Sequence, residues 1–307
     1  MADRSTLRTS SILRRGAAAA GLAVALFGVL PAAADPAVAE AVANHKEEIL
    51  GLRHRIHQNP ELGNRETETA KLVVEHLTRL GFDEIRTGVG HTGVIGILKG
   101  GKPGKVVAVR ADMDALPVTE ATDLPFQSTV TTEYLGQQVG VSHACGHDVH
   151  TAVELGVASV LADLRKEIPG TVVFIFQPAE EGPPPGEEGG ADLMLAEGAF
   201  EDPRPEAVFG LHTLSSLDVG KLGYTVGPAF AAVDHFKIDI NGQQTHGAAP
   251  HQGIDPVVVA AQVITALQTI RSRTLDPLEP SVVTVGIVRR SEERRVGKEC
   301  KIGRAHV

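Results

Sequence analysis

The sequence predicts an α/β fold in which helices cover both faces of a sheet, and three observations predict it. Short apolar runs alternate with helical patterns between residues 45 and 211. One of them, TVVFIF at residues 171–176, is apolar nearly throughout, as in a strand covered on both sides. Four polar clusters fall where such runs end: RADMD (110–114), HACGHD (143–148), QPAEE (177–181) and GLHT (210–213). In an open α/β sheet the carboxyl ends of strands line one crevice, so elements distant in sequence converge there.

Taken in order, Ile49, Leu52 and Ile56 repeat at helical spacing and stop at Asn59-Pro60. A second helix runs from about Glu66 to Leu80, with Ala70, Val73, Val74 and Leu77 inward and Gly81 as its stop. TGVIGIL (92–98) and KVVAVRADMDALP (105–117) read as strands joined by a turn, KGGKPG. From His150 a helix buries Val153, Val157, Val160, Leu161 and Leu164 and ends at Pro169-Gly170. AVFGL (207–211) is a further strand. Near Pro228 the pattern changes. DHFKIDING (234–242) alternates, as a strand with one wet face does; Asp255 caps and Pro256 opens a helix to about Arg271; and SVVTVGIV (281–288) closes as a strand. The reading is a long α/β domain over residues 35–227 and part of a smaller second domain over 228–289.

Both ends differ from this body. Arg8, Arg14 and Arg15 precede the apolar residues 16–30 and the small residues before Asp35, so residues 1–34 read as a signal peptide and the protein as exported, periplasmic or secreted. The Arg14-Arg15 pair leaves a twin-arginine signal open beside the general one. Residues 290–307 (RSEERRVGKECKIGRAHV) carry neither helix nor strand periodicity and resemble translated sequencing-adapter DNA, so a non-native tail is expected there. The chain's formal net charge is −9, and residues 35–289 hold 34 acidic against 19 basic residues. Such a surface excludes nucleic acid as partner, and an anionic membrane once the leader is gone. Cys145 is the single cysteine of the body, so no internal disulfide is expected and the thiol calls for a chemical role.

The clusters offer that role. Gly146 separates Cys145 from His147, letting thiolate and imidazole face one point; Glu181 adds an oxygen and His212 a second imidazole. Mixed N, O and S donors suit zinc, manganese, cobalt or nickel better than calcium or magnesium. Glu180 and Glu181 are adjacent carboxylates and need different tasks, one binding metal while the other takes a proton from activated water. His143 and Asp148 are candidates to orient the ligands. His54 and His57 read as a helix face against the catalytic body, and His246 either as a surface residue or as a group reaching a substrate oxyanion. Two other readings remain open: a hydrolase with Cys145 as nucleophile and a histidine base, and a non-catalytic exported protein that binds metal or peptide.

RHRIHQNPELGNRETET, RADMDALP, HACGHDVHT, QPAEEG, GLHT and HGAAPH, in this order, closely resemble the metal-dependent amidohydrolases of the aminoacylase, carboxypeptidase and hippurate hydrolase group, nearest its hippurate hydrolase and auxin-conjugate branch. The resemblance implies a helix–sheet–helix, di-metal peptidase-like catalytic domain with an inserted α+β lid or dimerisation domain, here incomplete. It implies two divalent metal ions held by Cys145, His147, Glu181 and His212, with Cys145 bridging, Glu180 as general base, Asp114 orienting a ligand and His246 stabilising the tetrahedral intermediate. The substrate implied is an N-acyl amino acid or short peptide, and the intact protein is expected to be a homodimer. Relatives return to the catalytic domain after the lid and supply a final histidine ligand. That portion is missing beyond about Val288, so the chain as written is expected to be inactive.

Overall fold

The structure is a computed structural model that describes residues 35–227, 229, 235–279, 281–290 and 299–306, with the backbone alone for residues 235 and 299–306. The signal peptide expected over residues 1–34 lies outside the described residues. The chain divides into two units, the first ending at Leu214 and the second starting at Ser215.

In the first unit, α1 (Pro36–Gln58) opens on Asp35, whose carboxylate accepts from the Ala37 amide, with Pro36 in the first turn where no N–H is required. α2 (Thr67–Arg79) follows and stops before Gly81 at φ 71°. The strands are β1 (Glu84–Val89), β2 (Gly93–Lys99), β3 (Lys102–Asp112), a separate hairpin of β4 (Thr131–Tyr134) and β5 (Gln137–Gly140), then β6 (Pro169–Gln177) and β7 (Ala207–Gly210). α3 (His147–Asp163) lies between β5 and β6, and the short α4 (Gly190–Ala196) between β6 and β7.

The main sheet has the order β1-β2-β6-β3-β7, and β6 at its centre is the apolar run. Its residues alternate between two cores. Val172, Phe174 and Phe176 pack with Ile56, Leu72, Leu77 and Leu155 from α1, α2 and α3; Val173 and Ile175 pack with Met194 and Ala199 on the α4 side. Helices therefore cover both faces, as expected. The sheet is mixed: β1, β2 and β6 are antiparallel neighbours, while β6, β3 and β7 run parallel. Parallel register sets Asp112 opposite Gln177 and Arg110 opposite Gly210, so the RADMD, QPAEE and GLHT clusters leave the sheet at one edge. HACGHD departs from the expectation: it lies at the amino end of α3, which begins at His147 and not at His150.

The second unit holds β8 (His235–Asn241), a 3-10 turn (Pro250–Gln252), α5 (Pro256–Thr269), β9 (Thr284–Arg290) and β10 (Glu299–His306). Asp255 caps α5 by accepting from Val257 N, and Ala260 is buried among Ile238, Ile240 and Val285. The absence of regular structure expected for the tail is corrected here. Its residues 299–306 form the middle strand of an antiparallel sheet ordered β8-β10-β9. Ladder hydrogen bonds use only backbone groups, so the facing edges of β8 and β9 accept an extended segment whose side chains carry no strand pattern.

Candidate metal centre

His147 is the hub of the site. It is fully buried in the first turn of α3, and its Nδ1 donates to Asp114 Oδ1 at 3.1 Å. Its Nε2 is buried without a hydrogen-bond partner. That nitrogen lies 3.7 Å from Glu180 Oε2, 3.8 Å from Glu181 Oε1 and 3.7 Å from Asp112 Oδ2. An orphaned buried imidazole nitrogen costs free energy on the order of 1–3 kcal/mol, so its placement among carboxylates calls for a ligand. On the other side Cys145 Sγ is 3.5 Å from His212 Nε2. Three sets of donors, Cys145/His147/His212, His147/Glu180/Glu181 and Asp112/His147/His150, each keep their atoms within 4.8 Å of one another and share His147.

Local backbone makes this convergence possible. Gly146 precedes α3 with φ 87°, a left-handed conformation that costs other residues about 1–2 kcal/mol. A Cβ there would stand 2.3 Å from Thr213 Oγ1, so the glycine also admits the His212-Thr213 segment beside Cys145. Asp114 uses both oxygens: while Oδ1 takes the His147 ring, Oδ2 accepts from Glu181 N at 3.0 Å.

The electrostatics follow from four carboxylates crowded around one ring. Burial alone would depress His147, but the Asp114 hydrogen bond and the charges of Asp112, Asp114 and Glu180 win, taking its pKa up to about 9. Burial, then Glu181 and the other acids, push the Cys145 thiol up to about 12. Burial and Asp112 also raise Glu180. Burial works against ionised Asp112, yet its hydrogen bond from His150 and the charges of His147 and Arg110 bring it to about 2. The site is a concentration of negative charge on soft and hard donors, which a divalent cation would neutralise.

All the ligand candidates read from the sequence, Cys145, His147, Glu181 and His212, meet here, with Asp114 and Glu180 among them. His246 belongs to the second unit; it is exposed, and its Nδ1 accepts from Ala248 N at 3.1 Å. Asp148 is a correction. Its carboxylate turns to His57 Nδ1 and Arg53 Nε, both at 2.8 Å, because successive helix positions face different directions. His57 also reaches Glu120 Oε1 at 3.1 Å, and His54 stacks on Phe126. His143 is buried with neither ring nitrogen bonded, so it orients none of the donors through a hydrogen bond, and burial brings its pKa down to about 4.

Sequence reading missed two members. His150 Nδ1 donates to Asp112 Oδ1 at 2.7 Å, and its Nε2 accepts from Thr213 N at 2.9 Å, anchoring the backbone beside His212. Asp112 additionally accepts from Arg110 Nη1 at 2.8 Å. Both residues stand inside quoted motifs, but only their distant partners reveal their tasks.

An α/β sandwich thus brings thiol, imidazole and carboxylate donors together where β3, β6 and β7 end and α3 begins. A model of peptidase family M20/M25/M40 matches residues 108–291, and the chain belongs to that family. Over 238 residues it is 44% identical to thermostable carboxypeptidase 2 of Saccharolobus solfataricus, covering 77% of this chain and 57% of that protein. It is also 44% identical over 240 residues to an N-acyl-L-amino acid amidohydrolase of Geobacillus stearothermophilus, covering 78% and 61%. The solved YXEP protein of Bacillus subtilis, described as a dinuclear metal-binding peptidase of the M20 family, superposes with a TM-score of 0.64 at 35% identity, over 86% of this chain and 65% of that one. The chain thus spans less than two thirds of the length of these relatives.

Proposed function

We propose that the chain is the catalytic part of a metal-dependent amidohydrolase that cleaves the amide bond of N-acyl amino acids, hippurate-like compounds among them, or of short peptides. The observation that carries this reading is the buried, unpartnered Nε2 of His147 aimed at Glu180 and Glu181, beside the Cys145–His212 pair. Cys145, His147, Glu181 and His212 would hold two divalent cations, zinc, manganese, cobalt or nickel. Bound there, the cations supply Lewis acidity that polarises the amide carbonyl and activates water.

The chain's own residues do the rest. Asp114 keeps the His147 ring in one tautomer and fixes the Glu181 backbone. Glu180, half-exposed and with a raised pKa, takes the proton from water and delivers it to the leaving amine. On the resemblance of HGAAPH, His246 is assigned to the oxyanion; the charged leader and apolar run assign export to residues 1–34, and the family resemblance assigns a homodimer.

Titration with zinc or cobalt should show uptake that Cys145→Ser and His147→Ala diminish. Hydrolysis of N-benzoylglycine should vanish with a chelator. Glu180→Gln should cut it by about 10²-fold or more while metal uptake survives, which separates an enzyme from a metal-binding protein. The 3.5 Å contact of Cys145 with His212 also suits a thiol nucleophile. Chelator-insensitive hydrolysis lost in Cys145→Ser would establish that chemistry instead.

A further inference from the structure

Glu66 is a fully buried acid of the first unit that neither the sheet nor the proposed chemistry uses. It stands just before α2, where a helix cap is the ordinary reason for a carboxylate. That task belongs to another residue. Glu61 accepts from Glu68 N at 3.0 Å and Thr69 N at 2.8 Å, and Glu66 makes no capping hydrogen bond. Its Oε1 instead accepts from Ala179 N at 2.8 Å, and its Oε2 from Thr92 Oγ1 at 2.5 Å.

Ala179 immediately precedes Glu180 and Glu181 and has φ 47°, a conformation costly for a residue with a Cβ. Something must hold it there. Gly63 helps from the same motif, since a Cβ on it would stand 3.1 Å from Ala179 Cα. Asn64 adds a second tie, donating to Glu188 O at 2.9 Å beyond the glutamates.

We infer that Glu66 is a positioning residue: through the Ala179 amide it fixes the turn that aims Glu180 and Glu181 at His147. The inference rests on the metal reading above. The Glu180–Glu181 segment is then clamped at both ends by carboxylates, Glu66 on Ala179 N and Asp114 on Glu181 N. The NPELGNRETET motif, which the ligand set leaves unexplained, acquires a task, with Glu61 starting the helix and Asn64 and Glu66 gripping the metal-side loop.

The test compares Glu66→Ala, Glu66→Asp and Glu66→Gln with the wild type. Cobalt titration is followed by absorption, and amide hydrogen exchange is recorded without metal. Glutamine can still accept from Ala179 N and meet Thr92 Oγ1, so it should keep wild-type affinity. Alanine removes the acceptor and aspartate is a methylene too short, so both should lose about tenfold or more in affinity for one cobalt ion, the cost typical of a lost ligand-orienting partner. Exchange should speed up at Ala179 and Glu181 and stay unchanged along α2. If alanine does not fold, aspartate and Thr92→Val carry the comparison. Wild-type affinity and exchange in the aspartate variant would overturn the inference, as would a glutamine variant as weak as alanine. Faster exchange at Ala179 with a wild type that takes up no cobalt would instead overturn the metal reading and, with it, the aiming role.

Discussion

Asp114 links two segments of the donor cluster with one carboxylate, His147 Nδ1 donating to one oxygen at 3.1 Å and Glu181 N to the other at 3.0 Å. Both partners are donors, so an amide cannot replace the acid without turning an NH₂ toward one of them. Asp114→Asn should weaken metal binding by about 10- to 100-fold, the usual cost of losing an orienting partner. Competition titration against a chelator of known affinity measures it, and unchanged affinity would sink the assignment.

Asp148 should behave in the opposite way although it follows His147 directly. It is buried, and its hydrogen bonds go to Arg53 and His57 rather than to the donor cluster. Asp148→Ala leaves those two partners without their acceptor and should cost about 3 kcal/mol of stability, the lower part of the range for a broken buried pair because Arg53 is partly exposed. Metal affinity, measured well below the unfolding temperature, should stay at the wild-type value. Loss of affinity with intact stability would return Asp148 to the metal site.

These two aspartates show where sequence reading reaches and where it stops. The four clusters were visible because donor types stood at the ends of apolar runs, and the parallel register of β3, β6 and β7 brings three of them together. Which donor faces the site depends on geometry that spacing does not carry. Asp148 is in the motif but turned away, whereas Asp112 and His150 are turned in by partners 38 residues apart. Glu66 was legible only as part of a helix start, since its contact with Ala179 spans 113 residues. Among the strands, β1 escaped because it is a short sheet edge with mixed exposure, and β10 because its place is set by backbone pairing.

Gly146→Ala tests the backbone at the centre of the HACGHD motif. The left-handed φ of 87° and the 2.3 Å approach to Thr213 Oγ1 act together. The strain term alone is about 1–2 kcal/mol, and the clash must separate Cys145 from the His212 segment. Denaturant unfolding should show a loss of at least that size, accompanied by weaker cobalt binding. A variant as stable as the wild type would show that the turn relaxes freely and that the glycine is not required there.

Glu154 gives a pH dependence whose sign is fixed by burial. The side chain lies in α3 within the core; Oε1 accepts from Ile175 N at 3.1 Å, and Oε2 is a buried atom without a hydrogen-bond partner. Burial raises its pKa well above the ordinary carboxylate value of 4.5; Asp112 adds to the rise, and the Ile175 hydrogen bond and Arg110 oppose it. Below pH 4.5 the folded and unfolded chains both carry the proton, and the group contributes no pH dependence. Above it the unfolded chain releases the proton while the folded chain retains it, so stability from this group declines as pH rises toward the folded pKa. Glu154→Gln removes the ionisation and can keep the bond from Ile175 N. Urea unfolding of both proteins at about pH 5 and about pH 8 should show the variant gaining on the wild type at the higher value. A gap that stays constant or narrows with rising pH would mean that water or a neighbouring cation solvates the Glu154 carboxylate in the folded chain.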